Sequence, residues 1–163
     1  MMVICDTSVL CYLALIDCVA VLPRRFGTVT IPSEVAEECL HQCAPEKLRA
    51  LLRIPPPWLL IAPASAARAP GTERLDPGEA AAISLAAERH AELLLIDERI
   101  GRQVASDTGL AVAGTLGILA DAASRGWLSF DAAVERLLGD TNFYVSAEVI
   151  DRLRRTVGVG GPT

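Results

Sequence analysis

The chain has 163 residues, of which 52% are hydrophobic and only 4% aromatic, and its formal net charge at pH 7 is −5. This length fits one domain that is large enough to bury a core. The acidic balance and the absence of a dense basic run argue against stable binding of long duplex nucleic acid.

Apolar runs and turn residues divide the first half of the chain into alternating elements. In chain order we predict a strand at Met2–Cys5, a helix at Val9–Leu22 that Pro23 ends, a strand at Thr28–Ile31, helices at Pro32–Cys43 and Ala44–Arg53, an edge strand at Trp58–Ala62 and a surface loop at Pro63–Leu75. The alternation continues beyond this loop.

The second half of the chain repeats the pattern and ends in helices. We predict helices at Asp76–His90, Glu98–Asp107 and Thr115–Arg125, strands at Glu92–Asp97 and Leu110–Ala113, and two closing helices at Phe130–Leu138 and Ser146–Val157. Alternating strands and helices predict an α/β fold with three layers, in which helices cover both faces of a central parallel sheet.

The expected organisation is one domain over residues 1–158, with a core at 2–126, a helical C-terminal part at 127–158 and a flexible tail at 159–163. The longest apolar stretch, Val9–Leu22, is interrupted by Asp17 and is shorter than the about 20 residues that span a bilayer. Asp6 stands where a signal peptide would be basic. We therefore expect a cytoplasmic protein without a membrane segment.

The five cysteines suit a reducing compartment, because an odd set without an export signal favours free thiols. Cys39, His41 and Cys43 alternate along the chain like one half of a zinc site, but the sequence has no second pair of cysteine or histidine ligands at the spacing that zinc sites use. Small buried side chains near a helix end are the favoured interpretation.

Acidic residues follow the predicted strands. Asp6 comes after the first strand and Asp97 and Glu98 after a later one, while Glu79 opens the helix that leads into the latter. Ligands bind outside the carboxyl ends of parallel strands. Glu38, or in another register Glu37, lies one turn into the helix after the second strand. All of these side chains are candidates for one cluster at that edge of the sheet.

Converging carboxylates repel one another unless a cation neutralises them, and oxygen ligands suit Mg²⁺ or Mn²⁺. Such a metal activates water and holds a phosphate. The alternatives are structural: Asp6 and Asp97 as helix caps, Glu79 in a capping box with Asp76, and Glu38 as a solvated acid. Arg99 and Arg102 either hold a phosphate or form an exposed helix face.

An ordered set of motifs resembles the PIN-domain family, specifically small prokaryotic PIN-like proteins related to VapC-type toxins. The motifs are Cys5-Asp6-Thr7-Ser8, Ile31-Pro32 with Val35-x-x-Glu38, Asp76-x-Gly78-Glu79-Ala80-Ala81-Ala82, Leu94-Leu95-Ile96-Asp97-Glu98-Arg99 and Gly114-Thr115-Leu116-Gly117. The resemblance covers roughly Met2–Arg125 and implies a metal-dependent ribonuclease fold.

The resemblance also implies a catalytic and metal-binding set, which consists of Asp6, Glu38, Glu79 and Asp97, with Glu98 as a further metal ligand and Ser8 and Thr115 as supporting hydroxyls. The family often has Thr-x-Asp at the fourth acid, where this chain has Ile96-Asp97-Glu98, so either acid fits and Asp97 is preferred.

Two functions follow as expectations. The first is a Mg²⁺- or Mn²⁺-dependent ribonuclease, a hydrolase of RNA phosphodiester bonds. The resemblance further implies that the protein is the toxin of a toxin–antitoxin pair and is bound by an antitoxin. It also implies a homodimer. The second is a PIN-like protein-interaction module with a weak metal site. Aspartyl-phosphate transfer is disfavoured because the only lysine is Lys47, and dinucleotide binding because no Gly-x-Gly-x-x-Gly follows a strand.

Overall fold

A computed structural model of the chain describes residues 1–63 and 65–160. Its centre is a parallel sheet of five strands: β1 (Val3–Cys5), β2 (Val29–Pro32), β3 (Leu59–Ala62), β4 (Leu93–Leu95) and β5 (Val112–Ala113). Their order across the sheet is β3-β2-β1-β4-β5, and every neighbouring pair is parallel. The predicted parallel sheet is therefore confirmed.

The chain reverses its direction of travel across the sheet beside β1. It moves outward through β2 to β3 and then returns to place β4 on the other side of β1. A crevice opens at such a switch point, outside the carboxyl ends of the two strands. Asp6 directly follows β1, and Asp97 and Glu98 follow β4, so the fold places both acidic segments at this crevice.

Helices cover both faces of the sheet. In chain order they are α1 (Thr7–Leu15), α2 (Val21–Phe26), α3 (Ser33–Leu40), α4 (Glu46–Arg53), α5 (Pro77–Glu88), α6 (Arg99–Asp107), α7 (Thr115–Ser124), α8 (Phe130–Asp140) and α9 (Ala147–Gly160). Alternate residues of each strand point to opposite faces, which gives the molecule two cores.

The larger core lies under α1, α3, α7 and α8, where Val3, Cys5 and Leu95 point from the sheet. The smaller core lies under α5 and α6, around Ile4 and Leu94. The alanine-rich α5 is buried over most of its length, which its small side chains allow. The three-layer α/β/α architecture and the additional C-terminal helices are confirmed, with α9 packed on α7.

The predicted helix Val9–Leu22 is wrong, because the structure has two helices there. The helix is interrupted at Asp17, whose φ is 57°. The Asp17 carboxylate forms ion pairs with Lys47 and Arg136. Pro23 lies inside the first turn of α2, where its missing N–H needs no partner.

The predicted helix Pro32–Cys43 is too long, since α3 ends at Leu40 and His41 is extended. The loop predicted at Pro63–Leu75 contains a 3-10 turn, Thr72–Arg74, and Ala64 lies outside the described residues. Of the predicted tail, residues 161–163 lie outside them too, while α9 continues to Gly160. Within the described ranges, no helix combines the length and the apolar character that a membrane crossing requires.

Candidate active site

A pocket of about 550 Å³ opens at the switch point of the sheet. We call it the acid pocket; its walls consist of Asp6, Thr7, Ser8, Cys11, Tyr12, Leu15, Glu38, Pro45, Asp76, Glu79, Glu98 and Asn142. Four of the five predicted metal ligands therefore line one cavity. The fifth, Asp97, lies behind Glu98 and faces a different recess.

Asp6 is buried, and among the described residues one of its two carboxylate oxygens has no hydrogen-bond donor. Its backbone N–H donates to the Leu95 carbonyl at 2.9 Å, which continues the β1–β4 pairing by one residue. The side chain makes no capping bond to α1; Oδ1 has no hydrogen-bond partner, and the Ser8 hydroxyl lies 3.5 Å from Oδ2. Burial raises the pKa of Asp6 to about 7, and the nearby Glu38 and Asp97 carboxylates add to this rise.

Glu38 is held from both sides. The Thr7 hydroxyl donates to Oε2, and the backbone N–H of Gly78 donates to Oε1 at 2.9 Å. Gly78 lies in the first turn of α5, where the helix dipole favours a carboxylate. A Cβ atom at position 78 would lie 2.6 Å from the Glu38 Cδ atom. Glycine at this position therefore permits the close approach that fixes Glu38.

Glu79 follows Gly78 on α5 and is only 8% exposed. Burial raises its pKa to about 7, with Asp6 and Asp76 as the leading repelling charges. Asp76, the N-cap residue of α5, makes no side-chain capping bond, so the capping-box alternative does not account for Glu79. Like Asp6, Glu79 is a buried acid whose ionised form is disfavoured by its surroundings.

Asp97 and Glu98 have different environments. Asp97 accepts hydrogen bonds from the backbone N–H and the hydroxyl of Thr115, both at 2.7 Å. Thr115 is the first residue of α7, so Asp97 fixes the start of a helix, although not the helix that follows it in the chain. Burial raises the pKa of Asp97, and the two Thr115 bonds oppose the rise. Glu98 is exposed and lines the acid pocket.

A family model described as a PIN domain matches residues 2–159. The chain belongs to the PIN-domain family. Comparison with curated proteins and with solved structures finds no match. Because PIN domains are generally nucleases that use divalent metals, family membership supports a nuclease-like fold and, in coarse terms, a hydrolase.

Several residues of this PIN domain's acid pocket were not predicted from the sequence. The Thr7 hydroxyl donates to Glu38, in addition to the Ser8 hydroxyl that donates to Asp6. The Gly78 backbone supplies a further donor to Glu38. Asn142 reaches the pocket from the C-terminal part and accepts a hydrogen bond from the Tyr12 hydroxyl at 2.9 Å. The Asp-Thr-Ser motif suggested a hydroxyl but not which one, and no local pattern pointed to Asn142.

Four other residues named from the sequence, Glu37, Cys39, His41 and Cys43, lie outside the acid pocket. Glu37 lines a neighbouring recess with His41 and Cys43 instead of the acid pocket. His41 Nδ1 accepts the Cys43 backbone N–H at 3.1 Å. Cys39 is buried, which raises its pKa to about 12, whereas Cys43 is exposed, contrary to the expectation of two buried thiols.

The acid pocket of the PIN domain fits a hard divalent cation in its donor chemistry. All of its charged groups are carboxylates, and the buried Asp6 Oδ1 atom lacks a donor. In the present side-chain arrangement, no three acidic, histidine or cysteine groups among residues 1–63 and 65–160 converge closely enough to hold an ion. Metal ligation therefore requires side-chain movement, for which the exposed Glu98 is the freest of the acids.

Proposed function

We propose that this PIN domain is a divalent-metal-dependent ribonuclease that hydrolyses RNA phosphodiester bonds in the acid pocket. One observation carries the proposal: Asp6 and Glu79 are both buried in the acid pocket, and burial together with neighbouring carboxylates raises the pKa of each to about 7. Such an arrangement is costly unless a cation occupies the pocket. Mg²⁺ and Mn²⁺ are the ions that carboxylate oxygens suit best.

In this proposal Asp6, Glu79 and Glu98 hold the ion, together with Glu38. Thr7 and Gly78 keep the Glu38 carboxylate turned toward the pocket by the hydrogen bonds they donate. Asp97 acts as a positioning residue, because both of its oxygens are occupied by Thr115. Mg²⁺ or Mn²⁺, when bound, supplies the positive charge that orients a phosphodiester and lowers the pKa of a water molecule.

The same proposal includes three further points: the substrate is RNA, the site of action is the cytoplasm, and the protein is a toxin with an antitoxin partner. RNA and the antitoxin are drawn from the resemblance to VapC-type toxins. The free state of all five cysteines supports a reducing compartment. Neutralisation by an antitoxin would have to close or distort the acid pocket, which is open to solvent in this chain.

A protein-interaction module is the second candidate. The apolar side chains of Leu138 and Tyr144 in the C-terminal part are 42% and 92% exposed, and large exposed apolar groups mark contact surfaces. This surface supports a homodimer or another protein partner. It is compatible with nuclease activity, and becomes the main function only if the acid pocket fails to bind metal.

The test is cleavage of a fluorescent single-stranded RNA by wild type, Asp6→Asn and Glu135→Gln, with Mg²⁺, Mn²⁺ or EDTA. Glu135 is exposed on α8 and lies outside the acid pocket, so its variant controls for loss of one negative charge. We expect metal-dependent cleavage by wild type and Glu135→Gln, and a loss of at least about 100-fold in Asp6→Asn. Equal activity in all three proteins, or in EDTA, would refute the proposal.

A further inference from the structure

A second polar recess lies on the far side of the Asp97-Glu98 segment. It has a volume of about 350 Å³ and is lined by Asp97, Arg99, Arg102, Gln103 and Ser106. We call it the arginine recess. Glu98 lines the acid pocket and Asp97 lines this recess, so two consecutive residues connect the two cavities.

The two arginines of the recess lack an ion-pair partner among residues 1–63 and 65–160. Seven of the 14 arginines form ion pairs in the described ranges, and Arg99 and Arg102 are among the seven that do not; these two are distinguished by sharing one recess. Asp97, which lines the same recess, accepts hydrogen bonds from Thr115 on both oxygens, and the charge of Arg102 opposes the rise of its pKa. Asp107 accepts the Gln103 amide at 2.8 Å. Arg99 therefore offers a guanidinium group to an external anion, and Arg102 offers one that also faces Asp97.

The two arginines lie at the N-terminal end of their helix, α6. Arg99 and Arg102 begin α6 and lie three residues apart, which puts them on one face. The N-terminus of a helix favours anions and disfavours cations. Two arginines there are unfavourable in the free protein, and a bound anion would remove that cost. A phosphate also offers acceptor oxygens that match the planar, forked guanidinium groups.

One of the arginines lies next to Asp97. A Cβ atom at Gly114 would lie 2.7 Å from Asp97 Oδ1 and 2.9 Å from an Arg102 terminal nitrogen. The absence of a side chain at Gly114 therefore leaves room for Asp97 and Arg102 to lie side by side. Arg102, which is exposed, therefore lies beside Asp97 in the lining of the recess.

We propose that the arginine recess binds a backbone phosphate of a single-stranded nucleic acid whose neighbouring phosphodiester occupies the acid pocket. The strand then runs across Glu98, and Arg99 and Arg102 hold it by charge and not by base identity. The assignment of the neighbouring phosphodiester as the one that is cut rests on the proposed ribonuclease function; binding of the strand does not.

The matched comparison is the double variant Arg99→Ala/Arg102→Ala against Arg152→Ala/Arg155→Ala. Arg152 and Arg155 lie on α9 at the same spacing and form no ion pair within the described ranges, so both double variants lose the same charge. Binding of a fluorescein-labelled single-stranded 12-mer is measured in full-length Asp6→Asn protein, with Mg²⁺ present, so that the strand stays intact.

We expect the Kd of the recess variant to rise about tenfold. Its log–log salt slope should fall by about 0.7, the value for one phosphate contact to a single strand. The α9 variant should stay within about twofold. A DNA 12-mer of the same sequence should show the same fold-change, because the phosphate alone is read. Equal effects of the two double variants, or no effect of the recess variant, would overturn the proposal.

Cleavage separates this proposal from the ribonuclease proposal. In chains that keep Asp6, the recess variant should lose activity mainly through a higher KM, while the α9 variant matches wild type. If wild type cuts no RNA but the recess variant alone binds more weakly, the ribonuclease proposal fails and the phosphate site stands. If wild type cuts RNA and the two double variants behave alike, the phosphate site fails and the ribonuclease stands.

Discussion

The acids at the switch point fall into two pairs that the fold treats differently. Glu38 and Asp97 each receive two hydrogen bonds, one from a threonine hydroxyl and one from the backbone at the start of a helix. Asp6 and Glu79 are buried and have raised pKa values. The first pair joins helices to the sheet edge, whereas the ionised form of the second pair is disfavoured by burial, and no lysine or arginine of the described residues lines the acid pocket beside it. A metal site needs both, since held ligands set the geometry and uncompensated ones attract the ion.

The largest expected effect concerns Asp6 in metal-free protein. Its pKa is raised from 3.8 to about 7 on folding, so the folded state binds the proton more tightly than the unfolded state. Wild-type stability is therefore lost as the pH rises from about 4 through 7. Asp6→Asn should be more stable than wild type at pH 8, by at most about 4 kcal/mol, and this gain should vanish below pH 4.

Urea unfolding in EDTA from pH 4 to pH 8 measures this difference, with Glu135→Gln as the control for loss of charge. If Asp6→Asn were less stable than wild type at pH 8, the hydrogen bonds that the Asp6 carboxylate accepts from Ser8 and the Thr7 backbone would outweigh its burial.

The substitution Gly78→Ala tests the close packing that holds the Glu38 carboxylate. The new methyl group would collide with the Glu38 carboxylate, whose Cδ atom lies 2.6 Å from the position that the alanine Cβ would take. Because the carboxylate is the flexible end of the Glu38 side chain, we expect it to turn away and lose its hydrogen bonds, with a loss of about 2 kcal/mol in the free energy of unfolding and a fall in nuclease activity. Gly117→Ala on α7 is the control, since nothing lies within 4 Å of its Cβ position. Its methyl group should stabilise the helix by up to about 1 kcal/mol.

Thermal unfolding of the two alanine variants gives the result directly. If Gly78→Ala kept wild-type stability and wild-type activity, the hydrogen bond between Glu38 and the start of α5 would be dispensable.

Thr115→Val asks whether Asp97 is structural. The substitution removes the hydroxyl that donates to Asp97 Oδ2, which should lower the free energy of unfolding by about 2 kcal/mol. Thr108→Val is a control, because its hydroxyl bonds to a carbonyl at the exposed end of α6. Mn²⁺ affinity, measured by calorimetry, should change little. A large loss of affinity at unchanged stability would instead make Asp97 a metal ligand.

The smallest expected effect belongs to Glu98→Gln. Glu98 is exposed and lines the acid pocket, so its loss should leave the melting temperature unchanged. Mn²⁺ affinity should fall about tenfold, in the range typical of groups that support a metal site. Unchanged affinity in Glu98→Gln, with a loss in Asp97→Asn, would reverse the roles assigned to these neighbours.

The sequence predicted the strand ends well, because an apolar run followed by an acid marks both β1 with Asp6 and β4 with Asp97 and Glu98. It could not separate Asp97 from Glu98. That distinction depends on Thr115, which lies on the helix after the next strand and draws Asp97 away from the pocket. The Glu38–Gly78 bond likewise joins two helices that are distant in the chain.

The helical part of the fold was predicted less accurately where one side chain alters the backbone. Val9–Leu22 has the apolar character of a single helix, but Asp17 adopts a left-handed conformation that ends it. Ion pairs of Asp17 with Lys47 and Arg136, from two other helices, stabilise this turn. No local pattern contains these long-range partners.

The most direct test of the account is a calorimetric titration of Mn²⁺ into wild type and Asp6→Asn at pH 7, in two buffers with different ionisation enthalpies. Because the pKa values of Asp6 and Glu79 are both about 7, metal binding should displace protons from the acid pocket. We predict one Mn²⁺ per chain with measurable proton release in wild type, and greatly weakened binding in Asp6→Asn. No binding to wild type at millimolar Mn²⁺, or identical binding without proton release in both proteins, would contradict a metal site built on these acids.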